Sequence, residues 1–130
     1  MEQEWEQAIR SGDSALVRQL IERGAAIDSK DKHGQTGLMV ASMRGRTAVV
    51  RLLIESGADL NHTAKYNLSA LMLAVIQGHA EIVRALTEAG ADTQIRGTGA
   101  PGFSGFTALE LAERAGREEI AGILRNALCG

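Results

Sequence analysis

Apolar residues recur along the chain in short bursts with helical spacing, and each burst stops at a glycine or a polar turn. Trp5, Ala8 and Ile9 keep a three-to-four spacing over residues 2–11, and Gly12 ends the run. Leu16, Val17, Leu20 and Ile21 resume the period, and Gly24 ends it. This spacing puts apolar side chains on one helical face. A glycine just past the last periodic residue fits a helix end, where a left-handed conformation carries no Cβ penalty. A second pair of bursts follows: Leu38, Met39 and Ala41 before Gly45, then Val49, Val50, Leu52, Leu53 and Ile54 before Gly57. The third pair holds Leu71, Leu73, Ala74 and Val75, then Ile82, Val83 and Leu86 before Gly90. The last holds Leu109, Leu111 and Ala112, then Ile120, Ile123 and Leu124. Turn compositions separate the pairs, notably Asp31-Lys32-His33-Gly34-Gln35 and Ala64-Lys65-Tyr66-Asn67-Leu68. Thr36 and Ser69 are placed as N-caps, and Thr107-x-x-Glu110 reads as a capping box. The pattern predicts helices throughout, taken two at a time.

The pattern also superposes on itself. Glu88-Ala89-Gly90-Ala91-Asp92 is preceded at a step of 33 residues by Glu55-Ser56-Gly57-Ala58-Asp59, and at the next step by Glu22-Arg23-Gly24-Ala25-Ala26. The same step links Gly12, Gly45 and Gly78, and Leu20, Leu53 and Leu86. Five further residues are needed to reach the fourth copy, where Leu109, Gly116 and Leu124 answer Leu71, Gly78 and Leu86. A fixed period of this size marks a repeat architecture. The expected units are residues 1–30, 31–63, 64–96 and 97–130 of one domain, the outer two acting as caps with polar outer faces. Residues 97–106 replace a five-residue turn with ten, and carry four glycines and the chain's one proline.

The shared set Gly34, Thr36, Leu38, Ala41, Gly45, Leu53, Gly57-Ala58-Asp59 and Asn61, matched in the next unit by Leu71, Ala74, Gly78-His79, Ile82-Val83, Leu86 and Gly90-Ala91-Asp92, resembles the ankyrin repeat. The resemblance covers nearly the whole chain. It implies an all-α ankyrin-repeat solenoid of stacked antiparallel helix pairs, with hairpin-like loops along one edge. It further implies that loop tips and the inner helix face contact a partner protein. Carried over position by position, the loop tips are Lys32, His33, Gln35, Lys65, Tyr66, Leu68, Phe103 and Phe106, and the inner face is Met43, Arg44, Ile76, Gln77 and Arg114. The family's T-P-L-H tetrapeptide is altered to Thr36-Gly37-Leu38-Met39, Ser69-Ala70-Leu71-Met72 and Thr107-Ala108-Leu109-Glu110. The family proline is missing each time, and so is the histidine that ties neighbouring loops. Gly37 in a first helical turn costs about 0.5–1 kcal/mol relative to Ala, which predicts an array less rigid than an idealised one.

Composition narrows the function without naming a partner. Net charge is −2, with both signs mixed along the chain, so nothing draws it to nucleic acid or to an anionic membrane. Aromatics make up only 3 % of residues, so packing rests on aliphatic side chains. No apolar run reaches the roughly 18 residues of a transmembrane helix, and the acidic start Met1-Glu2-Gln3-Glu4-Trp5-Glu6 is unlike a signal peptide. With one cysteine, Cys129, no internal disulfide is available, and the expectation is a cytoplasmic monomer. Gly97-x-Gly99-x-x-Gly102 formally matches a dinucleotide fingerprint, but that motif needs a strand before it and a helix opening inside it. His33, His62 and His79 stand in different units without metal-ligand spacing, and His79 fits a framework position. Asp59, Asn61 and Asp92 recur with the period, which suits turn stabilisation better than acid–base chemistry. Met39, Met43 and Met72 suit packing. The expected function is therefore non-catalytic protein–protein interaction, with no cofactor and no metal. The alternatives are nucleotide-dependent or catalytic activity centred on residues 97–106, and weak nucleic-acid binding through Lys32, Arg44, Arg46 and Lys65.

Overall fold

A computed structural model describes residues 2–98 and 105–129, with the side chain of Cys129 outside that description. Eight helices run in order: α1 (Gln3–Ser11), α2 (Ser14–Glu22), α3 (Gly37–Arg44), α4 (Thr47–Glu55), α5 (Ala70–Gln77), α6 (Ala80–Glu88), α7 (Ala108–Arg114) and α8 (Glu118–Cys129). They form four antiparallel pairs. The first helices stack α1 on α3 on α5 on α7, and the second helices stack α2 on α4 on α6 on α8. The described residues contain no strand. Their only extended pairings are the isolated antiparallel bridges Lys30 to Thr36 and Thr63 to Ser69, at the feet of the two loops between pairs.

The apolar positions close into one core running the length of the stack. Ile9, Leu53, Ile82, Leu86 and Leu124 have no exposed surface. The three predicted caps form. The hydroxyls of Thr36, Ser69 and Thr107 accept from the backbone N–H of Met39, Met72 and Glu110. At Thr107 the box is complete, with the Glu110 carboxylate accepting the Thr107 N–H at 3.0 Å. Each satisfies one of the donors that a helix start leaves unpaired.

One hydrogen bond recurs at every junction between pairs. The residue after the turn glycine sends its side chain back to the carbonyl at the end of the preceding pair's first helix. Arg46 Nε donates to the Arg10 carbonyl at 2.9 Å, His79 Nε2 to the Met43 carbonyl at 3.2 Å, and Arg117 Nη2 to the Ile76 carbonyl at 3.0 Å. Donors and acceptors each step by one unit. The glycines make this reach possible. Gly45 sits at φ +75°, and a Cβ there would stand 2.8 Å from the His79 ring. Gly12 and Gly78 face Arg46 and Arg117 in the same way. The glycine thus serves two demands, a left-handed helix end and clearance for the arm from the next pair.

A second ladder runs beside the loops. Asp28 Oδ1 accepts the Asp59 N–H at 2.9 Å, and one unit on, Asn61 Oδ1 accepts the Asp92 N–H at 2.7 Å. The recurring acids and Asn61 therefore tie turn to turn. His62 Nε2 donates to the Gly34 carbonyl at 3.0 Å. Neighbouring loops are thus linked by a histidine after all, supplied from a position before the turn.

Gly37 has a reason that propensity hides. The terminal pair carries Trp5 where the next pair carries Leu38, and a Cβ on Gly37 would collide with Ile9 Cδ1 and stand 3.4 Å from Trp5 Nε1. A side chain there requires Ile9 to shift within the core. The glycine leaves room for a larger core residue, Trp5. Helix propensity alone makes Gly37→Ala stabilising by about 1 kcal/mol. Overpacking a tight core costs about 1–3 kcal/mol, so the expected outcome is a lower urea midpoint. A raised midpoint would show that Trp5 and Ile9 move aside freely.

Candidate functional site

The loop edge and the inner helix wall meet along one side of the stack. The first loop, Asp31 to Gln35, is built by its aspartate. Asp31 Oδ1 accepts the N–H of His33 at 2.8 Å and of Gln35 at 3.0 Å, while the Asp31 N–H donates to the Gln35 carbonyl at 2.9 Å. Lys32 and His33 stand exposed at the tip.

The second loop has Ala64 in place of that aspartate and Asn67 in place of Gly34. Its foot keeps the same bond, with the Ala64 N–H donating to the Leu68 carbonyl at 3.2 Å. Its tip does not keep the same backbone. Tyr66 (φ +64°) and Asn67 (φ +58°) both occupy the left-handed region, the only non-glycine residues found there among the described residues. For a bulky side chain this region is uncommon and costs about 1–2 kcal/mol. Contacts across the loop edge hold it. The Thr98 N–H donates to the Tyr66 carbonyl at 2.6 Å, and Asn67 Nδ2 donates to the Arg96 carbonyl at 3.0 Å. Tyr66 is 39 % exposed, one of two large apolar side chains described that are this open. Lys65 Nζ lies 5.0 Å from its ring centroid.

The enlarged third loop leaves and returns through the same foot. The Gly97 N–H donates to the Phe106 carbonyl at 3.1 Å, as Asp31 does to Gln35 and Ala64 to Leu68. The Gly105 N–H donates to the Gly97 carbonyl at 2.7 Å. Arg96 Nη1 donates to the Gly105 carbonyl at 2.5 Å and pairs with Glu110 at 3.2 Å. The Thr107 backbone N–H foremost, with Arg96 adding to it, holds the Glu110 carboxyl below its ordinary range. A depressed carboxylate contributes stability that is present above its unfolded pKa and lost as pH falls through its folded pKa. Phe106 is half-buried beneath Arg114, whose guanidinium carbon lies 4.5 Å from the ring centroid. Phe103 lies outside the described residues. So do Gly99 and Gly102 of the glycine fingerprint; irregular chain precedes Gly97, and α7 opens only at Ala108.

On the inner wall, Met43 and Ile76 are half-buried at equivalent places in α3 and α5, flanked by Arg10 and Arg114 at the corresponding places in α1 and α7. Arg44 and Gln77 follow them, exposed. Leu68 and Gln35 are half-buried at the loop feet. Arg10 and Arg96 were not among the residues selected from the sequence. Arg10 is legible there as the residue one period before Met43, and Arg96 as the last before the insert. Arg46, a candidate cation for nucleic acid, is committed to the Arg10 carbonyl. Among the described residues no cluster of three or more His, Cys, Asp or Glu side chains could hold a metal ion, and no helix is long and apolar enough to cross a membrane. An open groove of about 290 Å³, lined by Glu2, Trp5, Ala25, Ala26 and Ser29, lies at the N-terminal end and contains none of the selected residues.

Period, turn glycines, helix pairs and loop edge agree with a direct comparison. A family model described as ankyrin repeats (3 copies) matches residues 5–97, well over half of the chain. The chain belongs to the ankyrin repeat family. No curated protein matches it. Ankyrin repeats are in general protein–protein interaction modules. The fourth helix pair lies beyond the matched residues but keeps the ankyrin geometry, including the Arg117 arm. In this ankyrin stack the third loop is the departure, and its foot bond shows how an insertion is carried without disturbing the repeat. Replacing residues 98–105 by the three-residue tip of the first loop leaves that bond available, and loop closure changes by well under about 1 kcal/mol. Thermal unfolding is expected to stay within a few degrees of the parent. A collapse of the transition would show that the insert packs as part of the core. Tyr66→Gly is expected to keep or raise the urea midpoint, because relief of the left-handed strain outweighs or balances glycine's entropy; a clear fall would show that the ring buttresses the loop.

Proposed function

We propose that this protein binds another protein through its loop tips and inner helix wall, without catalysis and without a cofactor, as a cytoplasmic monomer. Tyr66 is the centre of that surface. The observation that carries the reading is its backbone. A tyrosine sits in a left-handed conformation, exposed, in a loop whose framework has a glycine one residue later in the sister repeat. Strain of this kind is kept where the surroundings impose it, and such sites cluster at ligand contacts. Tyrosine offers a broad, stiff, amphipathic contact at low entropic cost. Lys32, His33 and Gln35 lie on one side of it, Phe106 on the other, and Met43, Arg44, Ile76 and Gln77 below. Preorganisation supports the same reading, since loops already tied to one another lose little freedom on binding.

Peptides selected on the purified protein from a displayed random library supply a ligand for the test. Tyr66→Ala is expected to weaken the selected peptides by about 1–2 kcal/mol, the usual scale of a hot spot, with the unfolding transition unchanged. Glu118→Ala, at the start of α8 and away from the loop tips, is expected to leave affinity alone. Titration calorimetry on the two variants reads the difference. Loss of affinity in Glu118→Ala with none in Tyr66→Ala would move the binding site to the end of the stack.

A further inference from the structure

We propose that the segment bound on this face is acidic: an extended run of chain with carboxylates to either side of an apolar side chain. The proposal rests on the inner wall and loop tips being the binding face, and it names the chemistry of what binds there. Lys32, Arg44, Lys65 and Arg114 point this way. All four are exposed, and none forms an ion pair among the described residues.

The carboxylates of the same face are largely engaged, and Asp28, Asp59 and Asp92 beside the loop feet are exposed but each accepts a backbone N–H. Glu6 is bound to Arg10 at 3.0 Å. Glu110 is held by the Thr107 N–H and Arg96. The Asp31 side chain is 2 % exposed, with one oxygen spent on its own loop. Glu2 stands at the N-terminal rim. The chain as a whole is formally −2, so the negative surplus lies elsewhere. Glu22, Glu55 and Glu88 stand exposed at one equivalent position of the second helices, and Glu118 and Glu119 open α8. Arg18, Arg23 and Arg84 on the second-helix side are likewise exposed and form no ion pair among the described residues, but Arg18 and Arg84 each have a glutamate four residues on and Arg23 follows Glu22, whereas Lys32, Arg44 and Lys65 have no glutamate so placed.

The apolar centre decides what kind of anion fits. Met43 and Ile76 lie half-buried between the flanking arginines, and Tyr66 stands above them. A nucleic acid would meet the same cations but would offer these side chains no aliphatic partner. The geometry also sets a length. The row Arg10, Met43, Ile76, Arg114 spans three helix-to-helix steps of about 8–10 Å each. An extended segment rising about 3.3 Å per residue covers that in roughly eight residues. Charge complementarity of this kind mainly sets orientation and encounter rate, so affinity should fall with salt.

The library selection supplies the test through the composition of its winners. Selected peptides are expected to carry several Asp or Glu around at least one Leu, Ile, Met or aromatic residue. The best of them, synthesised with a fluorophore and followed by anisotropy, is expected to bind about tenfold more weakly to Arg44→Gln/Arg114→Gln than to the parent. It should also weaken by about tenfold between about 0.05 and 0.3 M NaCl, as screening shortens the reach of exposed charge. Neutral or basic winners that still lose affinity in Tyr66→Ala would overturn the acidic partner and leave the binding face standing. Winners indifferent to both Tyr66→Ala and the double arginine variant would overturn the face itself. A single-stranded oligonucleotide that displaces the peptide and binds more tightly would overturn the proposal in favour of a nucleic acid.

Discussion

Each helix pair in this stack touches only its neighbours, so the whole molecule depends on how one pair is joined to the next. The joint has an apolar part and a polar part. Apolar burial supplies most of the driving force, but it is non-directional and fixes no register by itself. Register comes from the arm that leaves each second helix's start and ends on a carbonyl in the last turn of the preceding first helix. That carbonyl is one of the acceptors a helix end leaves unpaired. The arm therefore removes a cost and sets an alignment in the same bond. It is repeated by Arg46, His79 and Arg117, and each time a glycine clears its path.

The consequence for function is felt at the loop edge. Once the pairs are in register, the turns of adjacent units come within hydrogen-bonding reach, and Asp28, Asn61 and His62 use that reach. A loop tied on both sides can hold a conformation that it would not choose alone. The second loop shows this. Tyr66 and Asn67 are kept left-handed by bonds to residues 96 and 98, which belong to the stretch leading into the enlarged loop. Strain at the tip is thus held by the ladder beneath it, and the energy for the unfavourable backbone comes from contacts a unit away.

Much of this was legible in the chain and some was not, for physical reasons. The helices were legible because helix pairs, caps and end glycines each leave a local mark with a fixed offset. Period-matched positions on the inner wall followed from the same offsets. The junction arm was half visible. His79 was placed as framework, yet Arg46 read as a free cation, because arginine and histidine share the one property that matters here, an N–H donor at the right reach, and otherwise look unlike. Gly37 read as a defect, because its meaning depends on Trp5, which is distant in sequence and fills more space than the leucine of the other units. Tyr66 was singled out as an exposed aromatic. Its backbone is not written in the sequence: Asn67, at the place of Gly34, is a residue that tolerates positive φ, but nothing about a tyrosine at 66 encodes it.

The two terminal pairs differ from the internal ones at the positions that face along the stack. At the position of Arg46, His79 and Arg117, the first pair carries Asp13, which cannot donate to a carbonyl. Asp13 turns instead to its own helix and accepts the Leu16 N–H at 3.1 Å. At the other end, the places that hold Met39 and Met72, and Ser42 and Val75, between stacked pairs hold Glu110 and Glu113 in α7. Glu113 is paired with Arg125 at 2.9 Å. A further pair laid on α7 would have to desolvate both carboxylates, and burying ionised groups without full compensation is strongly unfavourable. The two ends therefore differ from the internal joints in different ways: the first pair lacks the donor of the joint, and the last pair carries charge where internal pairs carry apolar or small side chains.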